Sequence, residues 1–200
     1  MAMGRVYCAG PLFNRREQAE MRAISRRLKD AGFETYLPHE DGLEFASVVG
    51  IVTRQIHSSS AANLVVSRAI FALDVYKLLE WSDAIVANMN GRVPDEGTVA
   101  EAALAWRSRK AVVLYKDDVR SLVNGIDNSM WSGLGEFRIV HQVEEIPKSI
   151  EIAMRNRTPV DKRIENTAAE GKQIAGELDS LRESSTKNEE LARFLVHLFK

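Results

Sequence analysis

The stretch Val6-Tyr7-Cys8-Ala9-Gly10-Pro11 decides the fold, because a short apolar run closed by Gly-Pro is typical of a buried strand that ends in a turn. Asn14 then offers a helix N-cap, and small or apolar residues recur at helical spacing until Gly32. Residues 33–37 predict a second strand, which Pro38 stops. A strand, a helix and a second strand in this order indicate the beginning of a parallel sheet.

The same alternation of strand and helix continues further along the chain. Strands are predicted at 84–88, 111–115 and 138–141, and helices at 67–81, at 98–107 and from about 143. Residues 39–66 lack a clean period and 116–136 are rich in Gly, Asn, Asp and Ser, so we expect two long loops, the first with helical turns. The sequence therefore predicts an α/β fold with a doubly wound, Rossmann- or flavodoxin-like parallel sheet of about five strands and helices on both faces.

Composition limits the kinds of partner that the protein can have. The chain has 200 residues and a formal net charge of −1, so nothing favours nucleic acid or an anionic membrane. No signal peptide and no apolar run of transmembrane length is recognisable, and we expect a cytoplasmic protein. The chain has one cysteine, its four histidines show no ligand spacing, and Gly10-Pro11 lacks the glycine pattern of a dinucleotide site. We therefore expect no metal and no cofactor.

The composition changes after about Arg157, where the chain becomes more polar and charged. We expect one domain over residues 1–157 and a charged C-terminal extension over 158–200. A weak apolar stripe in this extension predicts a helical tail, and its polar composition is equally compatible with partial disorder.

Glu101 is the strongest candidate for chemistry. It closes the segment Pro94-Asp95-Glu96-Gly97-Thr98-Val99-Ala100-Glu101, which follows a predicted strand at the edge where ligands bind. A carboxylate in the first turn of a helix is stabilised as the anion by the helix dipole, and a nucleophilic carboxylate must be ionised. The competing interpretation is structural, because Thr98 and Glu101 have the spacing of a capping box.

Three further residues could share a site with Glu101. Asp74 lies on a predicted helical face with Phe71 and Leu78, where burial would raise its pKa and suit a proton donor. It could equally be a polar residue at the edge of that face. Asp95 could bind substrate or only shape a turn, and Tyr7 could hold the nucleophile by a hydrogen bond or only pack. One anionic and one protonatable carboxylate together are the pair that cleaves glycosidic bonds.

Four stretches of the chain resemble the nucleoside 2-deoxyribosyltransferase family. They are residues 6–13, the Asp74 helix running into 83–86, residues 94–101, and the late loop Asp127-Asn128-Ser129-Met130. They follow one another in the order of the family, each at a predicted strand end, and the resemblance covers about residues 5–150. It implies the doubly wound sheet and a retaining double displacement that moves 2-deoxyribose between nucleobases.

The resemblance also implies roles for the matching residues. Glu101 would attack C1′ and carry the sugar as a glycosyl-enzyme, Tyr7 would orient Glu101, and Asp74 would protonate the leaving base. The residues that would bind substrate are Asp95, near the sugar hydroxyls, with Gly10, Phe13, Gly97, Asn128 and Met130. Asn128 would reach the 5′-hydroxyl in a neighbouring subunit, which implies a homo-oligomer of at least two chains, although an ordinary turn residue would look the same.

Two other functions stay open at this point. Related hydrolases cleave nucleoside 5′-monophosphates or deoxynucleosides, and they tend to have a first loop rich in Ser and Gly that receives phosphate. Here Pro11 and Phe13 supply no phosphate donors, whereas Arg15 and Arg16 keep this alternative open. A non-catalytic nucleoside-binding module is the third possibility, but such a module needs no nucleophile.

Two departures from the family pattern bear on these alternatives. Ala102 follows the predicted nucleophile where relatives usually have Gly, so crowding at the start of the helix is expected. The segment 39–66 is also longer than in compact members. The sequence therefore leaves the preference for purine or pyrimidine bases open.

Overall fold

The computed structural model describes residues 3–91, 93–118, 127–156 and 160–199. Contacts between residues divide the chain into two units, Met1–Arg157 and Thr158–Lys200. The described residues of the first unit hold the sheet and the candidate site. The second unit consists of two helices, α8 (Val160–Ser180) and α9 (Lys187–Leu198). No helix in the described part of the chain is long and apolar enough to cross a membrane.

Five parallel strands form the sheet, and they are β1 (Arg5–Ala9), β2 (Glu34–Tyr36), β3 (Ala84–Asn88), β4 (Ala111–Tyr115) and β5 (Ile139–Val140). Their order is β2-β1-β3-β4-β5, with every neighbouring pair parallel. The order reverses between β1 and β3, which is where doubly wound sheets open a crevice for ligands at the carboxyl ends of the strands. The predicted doubly wound sheet of five strands is confirmed.

Seven helices of the first unit surround this sheet in the described ranges, and they are α1 (Arg15–Asp30), α2 (Pro38–Asp41), α3 (Phe45–Ile56), α4 (Ser59–Tyr76), α5 (Glu96–Arg107), α6 (Ser129–Ser132) and α7 (Ile146–Arg155). A π-helical turn, Lys77–Trp81, continues α4 directly. Short 3-10 turns cover Gly133–Gly135 and Val143–Glu145. The helix α5 begins two residues earlier than the sequence predicts, at Glu96.

The side chains of the strands alternate between two buried layers, as the pleat requires. Val6, Cys8 and Val86 pack on one face against residues of α1 and α7. Tyr7 and Ile85 pack on the other face against α5, α6 and the π-helical turn. Full burial of one large apolar side chain stabilises a fold by about 1.5–3 kcal/mol, so these two layers hold the helices on both faces of the sheet.

The local signals around α1 act as the sequence predicts. Asn14 Oδ1 accepts hydrogen bonds from the backbone N–H groups of Arg16 and Glu17, both at 3.0 Å. At the other end, Gly32 has a φ of +91°, a conformation that other residues adopt with strain. The two signals fix the length of the helix and the point at which the chain returns to the sheet.

The prediction of a long loop over residues 39–66 is wrong, because this segment is helical for most of its length. α3 packs against α4, and the connection between them is two residues long. His57 ends α3 in the left-handed conformation, and Ser58 Oγ accepts from the backbone N–H of Ala61 at the start of α4. Ser58 thus caps α4, and helix packing overrides the weak helical propensity of the β-branched residues in α3.

The second predicted loop, 116–136, is also partly helical. Its end contains α6 and the adjoining 3-10 turn, while residues 119–126 lie outside the described residues. Trp131 in α6 is buried in the layer that contains α5. Because the aromatic side chain of Trp131 anchors this short helix, the late loop is held beside the carboxyl ends of the strands.

Candidate active site

Glu101 and Tyr7 are in direct contact at the centre of the candidate site. Tyr7 lies in the middle of β1, is fully buried and points toward α5. Glu101 is partly buried in the second turn of α5. The Tyr7 hydroxyl donates a hydrogen bond of 2.6 Å to Glu101 Oε1. This bond fixes the carboxylate and leaves Oε2 as the oxygen that Tyr7 does not engage.

Asp95, and not Thr98, caps α5. Its Oδ2 accepts from the backbone N–H of Thr98 at 2.7 Å and from the Thr98 hydroxyl at 2.8 Å. The capping-box interpretation of Thr98 and Glu101 is therefore wrong, because the helix already begins at Glu96. A Cβ at Gly97 would lie 3.1 Å from Asp95 Oδ2, so a glycine there keeps the cap uncrowded. Glu101 has no capping role that would compete with chemistry.

The pKa of Glu101 differs from what a helix dipole would produce. Burial raises this pKa to about 7, against the hydrogen bond from Tyr7, which lowers it, and the negative charges of Asp74 and Asp95 raise it further. The expectation that a first-turn position keeps Glu101 ionised is thus corrected, since the residue lies in the second turn and burial dominates. Burial and the charge of Glu101 also raise the pKa of Tyr7, which therefore remains a protonated donor.

Asp74 lies near the end of α4 and is half-buried. Its Oδ1 accepts a hydrogen bond of 3.0 Å from the Tyr36 hydroxyl. Burial raises the pKa of Asp74, and the bond from Tyr36 opposes this rise. The predicted apolar face around Asp74 is partly wrong: Leu78 is buried but Phe71 is 68% exposed. Leu78 belongs to the π-helical turn and packs in the core, whereas Phe71 lies in α4 itself.

An aromatic cluster joins the Glu101 and Asp74 ends of the site. Tyr7 and Tyr36 are partners in the register of β1 and β2, and their ring centroids are 5.4 Å apart. Trp81 meets Tyr36 edge-on at 6.3 Å, and Lys77 Nζ lies 5.1 Å from the Tyr36 ring centroid and 4.7 Å from that of Trp81. The sequence analysis missed Tyr36, Trp81 and Lys77. The available signal was that Tyr7 and Tyr36 lie in two predicted strands that follow each other in the chain.

Gly10 and Phe13, two further predicted binding residues, lie between β1 and α1. A Cβ at Gly10 would lie 2.2 Å from Met21 Sδ and 3.1 Å from Asn88 Cβ, so a side chain there would require the packing to move. Phe13 is 82% exposed at the start of α1. Ala102 is fully buried within α5, and its methyl group packs into the core where crowding was expected.

In the described part of the chain, the hydrogen bonds of Asn128 and Met130 do not involve Tyr7, Asp74 or Glu101. Asn128 Oδ1 accepts from the backbone N–H of Met130 at 2.8 Å and caps α6, as a turn residue does. Both side chains are exposed, Met130 at 84%. An ion pair between the buried Lys116 and the partly buried Asp127 holds the loop just before them. These two predicted binding residues therefore point to solvent in the single chain.

A pocket of about 800 Å³ opens near the strand ends on the α1 side of the sheet. Its lining residues are Pro11, Asn14, Arg16, Glu17, Glu20, Asn90, Gly91, Tyr115, Asp117 and Asp118. None of Tyr7, Asp74 and Glu101 belongs to this lining. Asn90 Nδ2 donates to Asp117 Oδ1 at 2.7 Å and ties together the loops after β3 and β4.

The potential ligands for a metal are scattered in the described ranges. No group of three or more His, Cys, Asp or Glu side chains lies close enough together there to hold an ion. Cys8 is fully buried in β1, and burial raises the pKa of its thiol to about 12, so the thiol is kept neutral. What the site offers chemically is two carboxyl groups of raised pKa, each held by a tyrosine.

The chain matches a known protein family over most of its length. The model described as nucleoside 2-deoxyribosyltransferase matches residues 6–177. No curated protein matches the chain.

Solved structures give matches of low identity. A conserved protein from Enterococcus faecalis V583 is 20% identical and superimposes with a TM-score of 0.56, over 76% of this chain and 99% of that chain. The 2-deoxyribosyltransferase from the psychrotolerant bacterium Bacillus psychrosaccharolyticus is also 20% identical, with a TM-score of 0.50 over 72% of this chain and 90% of that chain. At this identity the two structures establish a shared fold.

Proposed function

Since the chain belongs to the nucleoside 2-deoxyribosyltransferase family, we propose that it transfers 2-deoxyribose from a deoxynucleoside to a second nucleobase, with residues 1–157 as the catalytic domain. The observation that carries this proposal is the 2.6 Å bond from Tyr7 to Glu101 Oε1, which orients a carboxylate and leaves its second oxygen for attack. Asp74 supplies the second carboxyl group that a retaining displacement requires.

The first half of the reaction forms a glycosyl-enzyme. Glu101 Oε2 attacks C1′, the C1′–N bond breaks, and its electron pair passes to the base nitrogen, which takes the proton of Asp74. Protonation of Asp74 removes one of the negative charges that raise the pKa of Glu101, so the proton on Asp74 favours the Glu101 anion. The two groups thereby reach the protonation states that this step needs.

The second half reverses the first with a new base. Its nitrogen attacks C1′, the Glu101 carboxylate leaves, and the N–H proton returns to Asp74. Asp95 keeps its Oδ1 outside the cap, and we propose that this oxygen accepts from a sugar hydroxyl. We propose that Phe13, which is exposed before α1, covers the substrate together with the backbone around Gly10 and Gly97.

The test is a chromatographic assay with 2′-deoxyinosine as donor and adenine or cytosine as acceptor, beside reactions without acceptor and with a deoxynucleoside monophosphate. A new deoxynucleoside that Glu101→Ala no longer forms, while the variant keeps its circular dichroism spectrum, would support the transferase. Free base released only from the monophosphate would establish the hydrolase instead. Binding of deoxynucleoside without turnover would leave a non-catalytic module.

We also propose that Asn128 and Met130 complete the site of a neighbouring subunit in a homo-oligomer. The exposure of Met130 supports this, because an apolar side chain that is 84% exposed in the single chain would be stabilised by burial against a neighbouring subunit. Mixing inactive Glu101→Ala with inactive Asn128→Ala subunits tests it. A random mixture of dimers should regain about a quarter of the intact sites, whereas no recovery would place Asn128 in its own subunit.

A further inference from the structure

We propose that Tyr36 is a positioning residue for the transfer reaction, because its hydroxyl occupies Oδ1 of Asp74 and so presents the proton of Asp74 on Oδ2. Asp74 would then donate its proton to the leaving base from one defined oxygen. This inference rests on the proposed function for the role of Asp74. The Tyr36 hydroxyl itself gains and loses no proton in the reaction.

Tyr36 is the donor in its hydrogen bond with Asp74. Burial, followed by the charge of Asp74, raises the pKa of Tyr36, so its hydroxyl remains protonated and donates over the 3.0 Å to Oδ1. An oxygen that accepts from Tyr36 is the poorer place for the carboxyl proton, since two hydrogens would then compete for one contact. The proton of neutral Asp74 therefore belongs on Oδ2, from which it passes to the base nitrogen and to which it later returns.

Tyr36 cannot easily follow Asp74 if the carboxyl group moves. Tyr36 is 1% exposed at the end of β2. Its ring lies between Tyr7, with centroids 5.4 Å apart, and Trp81, at 6.3 Å, and the ammonium of Lys77 lies over its face. A ring enclosed in this way keeps its hydroxyl at one place, which is what a supporting group for a proton donor requires.

Tyr36 and Tyr7 connect the acid to the nucleophile. Tyr7 and Tyr36 stand opposite each other on adjacent parallel strands, so their side chains leave the same face of the sheet. One donates to Glu101 and the other to Asp74. The spacing between nucleophile and acid is therefore set by two neighbouring strands of the sheet, although the two carboxylates belong to different helices.

The test is Tyr36→Phe, which keeps the ring and removes the hydroxyl. Tyr115→Phe is the matched control, because Tyr115 is also a buried tyrosine bonded to an aspartate, Asp117, in the opposite layer. We expect Tyr36→Phe to lower kcat about ten-fold or more with little change in KM, and the control to leave both nearly unchanged.

The pH dependence separates positioning from a loss of folded protein. The charge of Asp74 raises the pKa values of Tyr36, Tyr7 and Glu101, and the ammonium of Lys77 lies over the Tyr36 ring. Because the bond from Tyr36 lowers the pKa of Asp74, its removal should move the alkaline limb of kcat upward by about one pH unit. A variant that only unfolds would keep the limb where it is.

A measurement that needs no turnover keeps this inference apart from the proposed function. The carboxyl carbon of Asp74, labelled with carbon-13 and assigned with Asp74→Asn, can be titrated by NMR in both proteins. A higher pKa of Asp74 in Tyr36→Phe, even in an enzyme without detectable activity, would support the bond that we infer. An unchanged titration, or an unchanged kcat in an active enzyme, would overturn it.

Discussion

Glu101→Gln should stabilise the fold at alkaline pH, while it abolishes the nucleophile. Glutamine has nearly the shape of glutamate and can still accept from Tyr7, but it carries no charge into the partly buried site. The rise in the pKa of Glu101 from 4.5 to about 7 corresponds to about 3 kcal/mol of unfavourable interaction for the anion. Because Glu101 is partly exposed to water, we expect the measured gain to be about 2–3 kcal/mol.

The pH dependence of this gain follows from linkage. Below about pH 4.5 the carboxyl group is protonated in both the folded and the unfolded chain, so the substitution changes little. As the pH rises from 4.5 to 7, the unfolded chain releases the proton of Glu101 more readily than the folded chain does, so the free energy of unfolding of the wild type falls. Above pH 7 the group is ionised in both states, and the difference between variant and wild type is constant.

The assay is urea unfolding followed by far-UV circular dichroism at pH 4.5 and pH 8, for wild type, Glu101→Gln and a control, Glu96→Gln. Glu96 is exposed in the first turn of the same helix, where its charge is favourable, so the control should lose a few tenths of a kcal/mol at pH 8. If Glu101→Gln is no more stable than wild type at pH 8, or gains equally at both pH values, burial of the Glu101 charge is not what sets its pKa.

Three further predictions concern residues around the site. Tyr7→Phe removes the hydrogen bond that lowers the pKa of Glu101, so the acidic limb of kcat/KM should move upward by about one pH unit; a limb that stays in place would contradict this. Asp95→Ala should cost about 1 kcal/mol in thermal unfolding through loss of the α5 cap, whereas Asp95→Asn should retain most of it. Lys116→Met leaves the carboxylate of Asp127 partly buried without its cation, so we expect the free energy of unfolding in urea to fall by about 3–5 kcal/mol. The double variant Lys116→Met with Asp127→Leu should recover most of this loss, and equal losses in the single and double variants would argue against the ion pair.

The sequence predicts the sheet well because its signals are local. Residues 6–9, 84–88 and 111–115 are continuous apolar runs, which is what strands buried on both faces require, and all three lie in the sheet. Asn14 and Gly32 likewise act within one turn of their own positions. Signals of this range need no knowledge of the rest of the fold.

The errors arise where distant residues decide the local structure. In α3 the β-branched residues are poor helix formers, and packing against α4 outweighs that preference. At α5, both Asp95 and Thr98 are competent caps by sequence, and only the observed start at Glu96 distinguishes them. Neither choice can be made from the spacing of residues alone.

The candidate site shows the same division between local and distant effects. The sequence identifies Glu101, Asp74 and Tyr7 as candidates from their places in predicted strands and helices and from the resemblance to a family, and the structure brings Tyr7 and Glu101 into contact. The hydroxyl of Tyr36 reaches Asp74 across 38 positions of the chain, so no local pattern predicts that bond. The role that we propose for Asn128 involves a neighbouring subunit, and one chain does not contain that information.

Because of its buried position, alkylation of Cys8 can measure how often the core around β1 opens. It is the only sulfhydryl of the chain, and it stands between Tyr7 and Ala9 in a strand paired on both sides. Because its thiol is fully buried and its pKa is raised to about 12, an alkylating reagent reacts only when the layer around β1 opens. The rate of alkylation therefore follows the exposure of Cys8 in β1, and a nucleoside bound at the site that we propose beside Tyr7 should slow it in proportion to the occupancy of that site.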